Sequence, residues 1–327
     1  MKADFARAAE PFRRELLAHC YRMLGSVDDA EDLVQETYVR AWRAYGGFEG
    51  RSSLRSWLYR IATNVCLSAL EHRSRRELPS GLGGPGDDPH APAVPAGPEV
   101  AWLQPMPDAL VRPESGDPAA ILALRESLRL SLIASLQYLP ARQRTVLLLR
   151  DVLAFPAAEV AEMLGTSTAA VKSSLQRARA RLEDVAPEAD EVAEPSEPQA
   201  RALLDRYIAA IENADASALE QLLREDATLE ATPLRTWFAG RATCVPYLAS
   251  QVLGSPGDWR LVPTSANGRP AAAGYVRDDD GVHRPYGVVV LTPTATGIAR
   301  IVAFGEPGLV ATFGLPAQPP HRLGLAE

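Results

Sequence analysis

The chain has only three cysteines in 327 residues, and Cys20, Cys66 and Cys244 stand alone in different regions. No CxxC spacing and no Cys/His cluster accompanies them, which argues against a structural zinc site. An odd, sparse count also argues against a disulfide framework and for a reducing compartment. Long apolar runs are missing as well: none approaches the roughly 18–20 residues of a membrane span. The N-terminal stretch MKADFARAAEPFRREL is charged throughout, so no secretory signal is expected and a cytoplasmic location is. Positive charge is in short supply: 34 Lys+Arg face 41 Asp+Glu, a net charge of −7 with a pI near 5.4. As an average, that speaks against a nucleic-acid binder.

The average hides the distribution. Residues 1–76 are net +3, 77–117 net −6, 118–185 net +3, 186–198 net −5 and 199–327 net −2. Within the first block, 28–36 (DDAEDLVQE) is net −5 and 37–76 is net +6. In 167–182, Lys172, Arg177, Arg179 and Arg181 occur with no acid. Taken singly, any such run could be a solvated helix face.

Composition divides the chain further. Residues 77–117 hold 9 Pro and 6 Gly in 41 positions, which reads as an acidic linker rather than a packed element. Its end, AWLQPMPDALV, carries apolar residues that could dock on a neighbouring domain. Residues 186–198 (APEADEVAEPSEP) read as a second acidic linker. Three domains are expected, over 1–76, 118–185 and 199–327, in keeping with the length.

The first two domains read as all-helical. Asp28, with Glu31 three residues on, gives a capping-box-like start to a helix that continues through Leu33, Val34, Thr37, Tyr38, Ala41 and Trp42. GGFEGRSS breaks it, and Ser53 can cap the next helix. The apolar stripe of that helix is Leu54, Trp57, Leu58, Ile61, Ala62, Val65 and Ala69; its opposite face is Ser56, Arg60, Thr63 and Asn64. In 118–185, Leu128, Leu132, Leu136 and Leu139 mark one helix and ARQRTVLLLRDV the next. A short helix opening at Pro156, a turn at Gly165 and a last helix capped by Ser167 then form a helix-turn-helix pattern. The third domain opens with two helices and continues in short strands (TWFA, WRLVPTS, PAAAGYVR, YGVVVLTP, IARIVAF), the order of an α+β domain with an antiparallel sheet.

Together these segments are more specific than any alone. DAEDLVQETYVRAW (29–42) and FEGRSSLRSWLYRIATN (48–64), followed by a basic helix end, resemble region 2 of the extracytoplasmic-function (ECF) sigma factors of the sigma-70 family. LPARQRTVLLLRDV and AAEVAEMLGTSTAAVKSSLQRARARL (157–182) resemble their region 4. Residues 199–316 resemble the SnoaL-like α+β cone that some actinobacterial members carry at the C-terminus, and ANGRPA (266–271) looks like a short motif of such extensions.

The resemblance implies an initiation subunit that is not itself an enzyme and that directs core RNA polymerase to promoters. It implies that the helix from Asp29 docks on the β′ clamp through Asp29, Asp32, Gln35, Glu36 and Arg40, with further contact to the β subunit. Phe48 and Asn64 would hold a base flipped out of the −10 element, with Ser52, Ser53, Arg60 and Thr63 around it. Arg51, Arg55, Arg73, Arg75 and Arg76 would hold phosphates. Ser167, Thr168, Lys172, Ser173, Gln176, Arg177 and Arg179 would meet the −35 element in the major groove. Ser174 and Gln176 depart from the bulkier or basic residues common in the family, so that contact could be lighter. The linker 77–117 would run towards the RNA exit path. Trp42 and Trp57 are expected in the core rather than at a contact.

The C-terminal domain is expected to regulate, through contact with the sigma domains or the linker. Neither His283 nor Asp215 nor Asp226 forms a convincing acid/base pair. No metal or cofactor is expected, and an unidentified small ligand among Trp237, Phe238, Tyr247, Trp259 and Tyr286 is left open. Two other readings compete: a fusion enzyme acting through the cone, and a one-component repressor. The repressor leaves the 29–64 motif unexplained.

Overall fold

The structure, a computed structural model, describes residues 2–71, 73–112, 117–185 and 195–320. It divides into two compact units: Met1–Glu77 with Leu110–Ala189, and Leu78–Ala109 with Asp190–Glu327.

The first unit is helical. α1 (Lys2–Ala9) leads into α2 (Arg13–Leu24), whose residues from Leu16 to Leu24 are all buried. Gly25, in the left-handed conformation, ends α2 and donates its N–H to the Tyr21 carbonyl, the usual service of glycine at a helix end. α3 (Val27–Ala44) starts one residue before the expected cap. Ser26, not Asp28, is the N-cap, and its Oγ accepts the Asp29 N–H at 3.2 Å. α4 (Leu54–Leu70) is capped by Ser53, whose Oγ accepts the Ser56 N–H at 3.0 Å. α2, α3 and α4 pack against one another.

The expected stripe of α4 is rotated. Leu58, Ala62 and Val65 are buried as expected, and Tyr59, Thr63 and Cys66 are buried beside them, while Leu54, Trp57 and Ile61 stay half-exposed. The cause is a polar contact inside the bundle: Thr63 Oγ1 lies 3.1 Å from His19 Nε2 of α2, and the Tyr59 hydroxyl donates to Glu15 at 3.1 Å.

The remainder of this unit is α5 (Pro118–Ser127), α6 (Leu130–Gln137), α7 (Ala141–Leu147), α8 (Ala157–Met163) and α9 (Thr168–Val185). The helix expected through Leu128 and Leu139 is two, broken at Arg129. Pro156 precedes α8 as its N-cap rather than opening it. Ser167 caps α9 and accepts the Ala170 N–H at 3.1 Å. Val160, Ala161, Met163, Val171 and Ala178 are buried where α8 and α9 meet. The two helical blocks pack directly: α2 lies against α6 and α7, and α4 against α7. Arg144 of α7 donates to the Met23 carbonyl, and the Phe155 ring sits edge-on to Tyr59 at 5.2 Å.

The second unit carries α10 (Glu197–Glu212) and α11 (Ala216–Leu222) on a six-stranded sheet: β1 (Leu223–Thr232), β2 (Trp237–Ala239), β3 (Trp259–Ala266), β4 (Arg269–Arg277), β5 (His283–Thr294) and β6 (Gly297–Phe304). α12 (Arg241–Tyr247) follows β2, and α13 (Gly308–Thr312) follows β6. The strand order is β2-β1-β6-β5-β4-β3, and β1 pairs with β6 in parallel. The sheet is therefore mixed, not purely antiparallel. β1 was hidden because LLRED reads as the continuation of α11.

Residues 78–109 belong to this second unit and are not a free tether. Their backbone covers the edge strand β2: the Gly86 N–H donates to the Trp237 carbonyl at 2.7 Å, and the Trp237 indole N–H returns to the Gly83 carbonyl at 2.8 Å. The Arg235 N–H donates to the Val94 carbonyl at 2.8 Å, and Ala96 to Pro233 at 3.0 Å. Pairing of this kind satisfies an otherwise open sheet edge. Residues 186–194, the greater part of the second expected linker, lie outside the described residues.

Candidate polymerase and DNA interfaces

The exposed side of α3 holds Asp32, Gln35, Arg40 and Arg43, with Glu36 half-buried and paired to Arg40 at 2.7 Å. Trp42 is 42% exposed and Val39 40% exposed on the same helix. That corrects the placement of Trp42 in the core. Positions 32, 35, 39 and 42 fall at i, i+3, i+7 and i+10, one face of a helix. The face thus presents two large apolar groups among its charges, the composition of a docking surface rather than of a solvated one. The signal available in the sequence was the spacing itself: Val39 and Trp42 stand a turn or two beyond Gln35, off the Val34–Thr37–Ala41 stripe that is buried.

Asp29 stands apart from this face. Its carboxylate is held by Arg73 and by Arg76 at 2.5 Å. Burial pushes the Asp29 carboxyl up, but the hydrogen bonds and charges of Arg76 and Arg73 outweigh it and hold the carboxyl below the usual range. Two expected phosphate ligands therefore share the carboxylate of an expected polymerase contact.

At the start of α4, Phe48 stacks on Tyr45 (centroids 6.1 Å apart, planes 12° apart) and packs on Trp57 at 5.0 Å. Trp57 is half-exposed and belongs to this rim cluster instead of the core. Arg51, Ser52, Ser53, Arg60 and Asn64 are exposed around it. Thr63 is not: it is fully buried and bonded to His19, so it cannot line a DNA pocket. Arg55 is committed inward, with its Nε on Glu15 at 3.0 Å and its guanidinium 4.7 Å from the Phe155 ring centroid. Arg75 pairs with Glu77 and lies 3.9 Å from the Tyr138 ring centroid.

α9 presents Ser167, Thr168, Lys172, Ser173, Gln176, Arg177 and Arg179, all exposed. Arg177 donates to Ser173 Oγ at 2.6 Å, and Arg179 makes a two-pronged pair with Asp151 at 2.8 and 2.7 Å. The stretch 167–182 has no acid of its own, but the fold brings Asp151 against Arg179, so Lys172 and Arg177 are the expected −35 cations without a carboxylate partner in an ion pair among the described residues.

In the second unit, Asp215 caps α11 by accepting the Ala218 N–H at 2.9 Å, and Asp226 pairs with Arg224. His283 Nε2 sits 3.0 Å from the Gly257 carbonyl. Phe238 and Tyr247 are buried and 4.4 Å apart, whereas Trp259 and Tyr286 meet edge-on at 5.0 Å with Tyr286 exposed. No group of three or more metal-ligating side chains occurs among the described residues. No helix there is long and apolar enough to cross a membrane.

The ANGRPA motif has a structural role. Asn267 and Gly268 form the two-residue turn between β3 and β4, both with positive φ (54° and 70°), as Asn-Gly hairpin turns require. Asn267, fully buried, accepts the Met106 N–H on Oδ1 at 2.9 Å and donates its own N–H to the Met106 carbonyl at 3.0 Å. The Gly268 N–H reaches Asp108 at 2.8 Å. Glu230, buried in β1, accepts both the Arg300 guanidinium and the Ser80 N–H. The segment 78–109 is thus pinned along its length.

Two family descriptions match the chain: Sigma-70 region 2 over residues 9–76 and Sigma-70, region 4 over residues 129–182. The ECF RNA polymerase sigma factor SigG of Mycobacterium tuberculosis is 52% identical over 317 residues, 96% of this chain and 85% of the relative. The chain belongs to the ECF RNA polymerase sigma factors. This sigma factor is also 30% identical over 221 residues to SigJ of the same organism, across 67% of this chain and 62% of SigJ. Its backbone is similar to the crystal structure of SigJ, with a TM-score of 0.56 and 23% identity over 94% of this chain and 98% of that one, a likeness of fold. Promoter-specific transcription initiation is accordingly its function, and the likeness to SigJ, running over 94% of this chain, extends to the fold of its α+β unit.

Proposed function

We propose that this sigma factor engages core RNA polymerase through the exposed face of α3 and reads promoter DNA with two separate surfaces. Asp32, Gln35, Val39 and Trp42 supply the α3 face, and the β′ clamp is its partner, with the β subunit adjacent. Complementary charge steers the encounter and the two apolar groups hold it. The Tyr45–Phe48–Trp57 cluster gives a stacking platform beside Asn64 for a base taken out of the −10 duplex, an extrusion that costs a few kcal/mol and needs such a platform. Arg51 and Arg60 carry nearby phosphates. α9 enters the major groove, with Lys172 and Arg177 reaching guanine edges or phosphates. The observation that carries this reading is the exposure of Lys172, Ser173, Gln176 and Arg177 on α9, in a stretch with no acid of its own.

The SnoaL-like domain acts as the regulator by controlling the segment 78–109. The support is the continuous bonding of that segment to β2, β1 and the Asn267 turn. A chain held there is not available to follow the RNA exit path, so release from the sheet accompanies initiation. The domain is not catalytic in this reading. Asp215 is spent on a helix cap, Asp226 on an ion pair with Arg224 and His283 on a backbone carbonyl. The protein acts in the cytoplasm, where its polymerase is, and needs no cofactor. Run-off transcription with core polymerase tests the proposal. Promoter-specific product from the full chain, lost in Trp42→Ala, supports it; product unchanged by Trp42→Ala counts against the α3 interface.

A further inference from the structure

A cleft of about 190 Å³ lies in the helical unit at the C-terminal end of α4. Its wall brings together Arg73, Arg75, Arg76 and Arg144, and Asp29 is its one carboxylate among the described residues. Asp29 accepts from Arg73 and Arg76, and Arg75 pairs with Glu77 outside the cleft. Four cations therefore face one anion in the wall of this cleft. Arg144 is only 4% exposed, and its terminal nitrogens donate to Met23, Gln137 and Leu139. Its Nε–H is buried with no hydrogen-bond partner. A buried, unsatisfied cationic donor in an electropositive wall is costly unless something negative completes it. Burial pushes the Arg144 pKa down to about 10, the direction an uncompensated buried cation gives.

The geometry points to a binding site for a small phosphoryl anion, phosphate or diphosphate, in this arginine cleft. Arginine forks match phosphoryl oxygens in pairs. The volume is below the roughly 300–1,000 Å³ of pockets that bury drug-sized ligands, so a nucleoside carried on the anion stays outside. The wall comes from both sigma regions: Leu24, Asp29 and Arg73–Arg76 from one, Gln137–Arg144 from the other. An anion there ties the two regions together. The −10 and −35 elements, about 25 base pairs apart, are about 85 Å apart along B-DNA at 3.4 Å per pair. The packed arrangement of α4 on α7 is then not the promoter-bound one, and the anion opposes promoter engagement by mass action.

The test is titration calorimetry on the full chain with inorganic phosphate, inorganic pyrophosphate and GDP, paired with melting temperatures. Saturable one-to-one pyrophosphate binding with a raised melting temperature is expected. Arg73→Gln weakens it by about tenfold or more, the scale of one charge-assisted hydrogen bond. Asp29→Asn, which removes the competing carboxylate, tightens it. Arg43→Gln, an equal loss of charge at an exposed position outside the cleft, leaves it within about twofold, less than half a kcal/mol. GDP binding as tightly as pyrophosphate assigns the site to nucleotide-borne diphosphates; weaker GDP binding assigns it to the free anion. Absence of binding and of any melting shift with all three would overturn the proposal. So would equal weakening by Arg73→Gln and Arg43→Gln, or weakening by Asp29→Asn.

Discussion

His19 shows how a single polar side chain can decide the packing of a helix. It is fully buried in α2, bonded through Nε2 to Thr63, with no partner for Nδ1. Burial first, then the charges of Arg22 and Arg55, push its pKa down to about 3 from an ordinary value near 6.5. The neutral form is therefore the folded form. Below pH 6.5 the unfolded chain takes up a proton that the folded chain refuses, so stability falls as pH drops, by about 1.4 kcal/mol per unit. Between pH 6.5 and 5 the helical unit should lose about 2 kcal/mol from this group. Urea midpoints at the two pH values measure it, and His19→Gln should remove that share of the slope. Trp42 makes the converse prediction. At 42% exposure, Trp42→Ala should cost under about 1 kcal/mol of stability yet weaken core polymerase binding by tenfold or more, read by calorimetry against melting curves. Residue type alone misplaces Trp42 and Thr63, the partner of His19. Thr63 lies on the polar side of the α4 pattern, and only a buried partner on another helix reveals that it points inward. Trp42 is apolar, so hydrophobicity alone assigned it to the core.

At the scale of elements, periodicity located α3, α4, α8 and α9, and Ser53 and Ser167 are the caps the sequence announced. The start of α3 was misplaced because two acids in its first turn look like a cap, while Ser26 performs the capping. The start of β1 reads as helix because Leu219, Leu222 and Leu223 stand at i, i+3 and i+4, the helical period. Its strand identity is set by pairing with β6, a contact 70 residues away at Glu230 and Arg300. For α9, Ser167→Ala should cost about 1 kcal/mol through loss of the cap, measured by thermal unfolding. Lys172→Ala and Arg177→Ala should each weaken binding to promoter duplex. If the side chain contacts a phosphate, the slope of log affinity against log salt should fall by about one; if it reads a guanine, one base position should lose about 1–3 kcal/mol of discrimination. Fluorescence anisotropy across a salt series distinguishes the two.

At the scale of the molecule, composition separated two helical blocks from an α+β block and placed the acids between them. It also made residues 77–117 a linker, since nine prolines cannot join a helix or a central strand. Composition could not show that the segment is laid along a sheet. Most of the contacts that hold it use the segment's own backbone groups, which every residue has, and their side-chain partners, Glu230, Trp237 and Asn267, lie far along the chain. Asn267→Ala removes the Oδ1 acceptor of the Met106 N–H and places a less suitable residue at positive φ, a cost of about 1–3 kcal/mol. Limited proteolysis should then cut within residues 83–106 faster than in the parent chain. The same variant should alter promoter output if the α+β domain acts on initiation through that segment as proposed.

Promoter choice in the proposed function rests on the chain's own two DNA surfaces. Genome-wide mapping of transcript 5′ ends in cells overproducing the full chain tests it most directly. The account predicts new start sites that share upstream sequences at both −10 and −35, with the −35 preference abolished by Lys172→Ala combined with Arg177→Ala. New start sites without a shared upstream sequence, or a −35 preference that survives both substitutions, would contradict it.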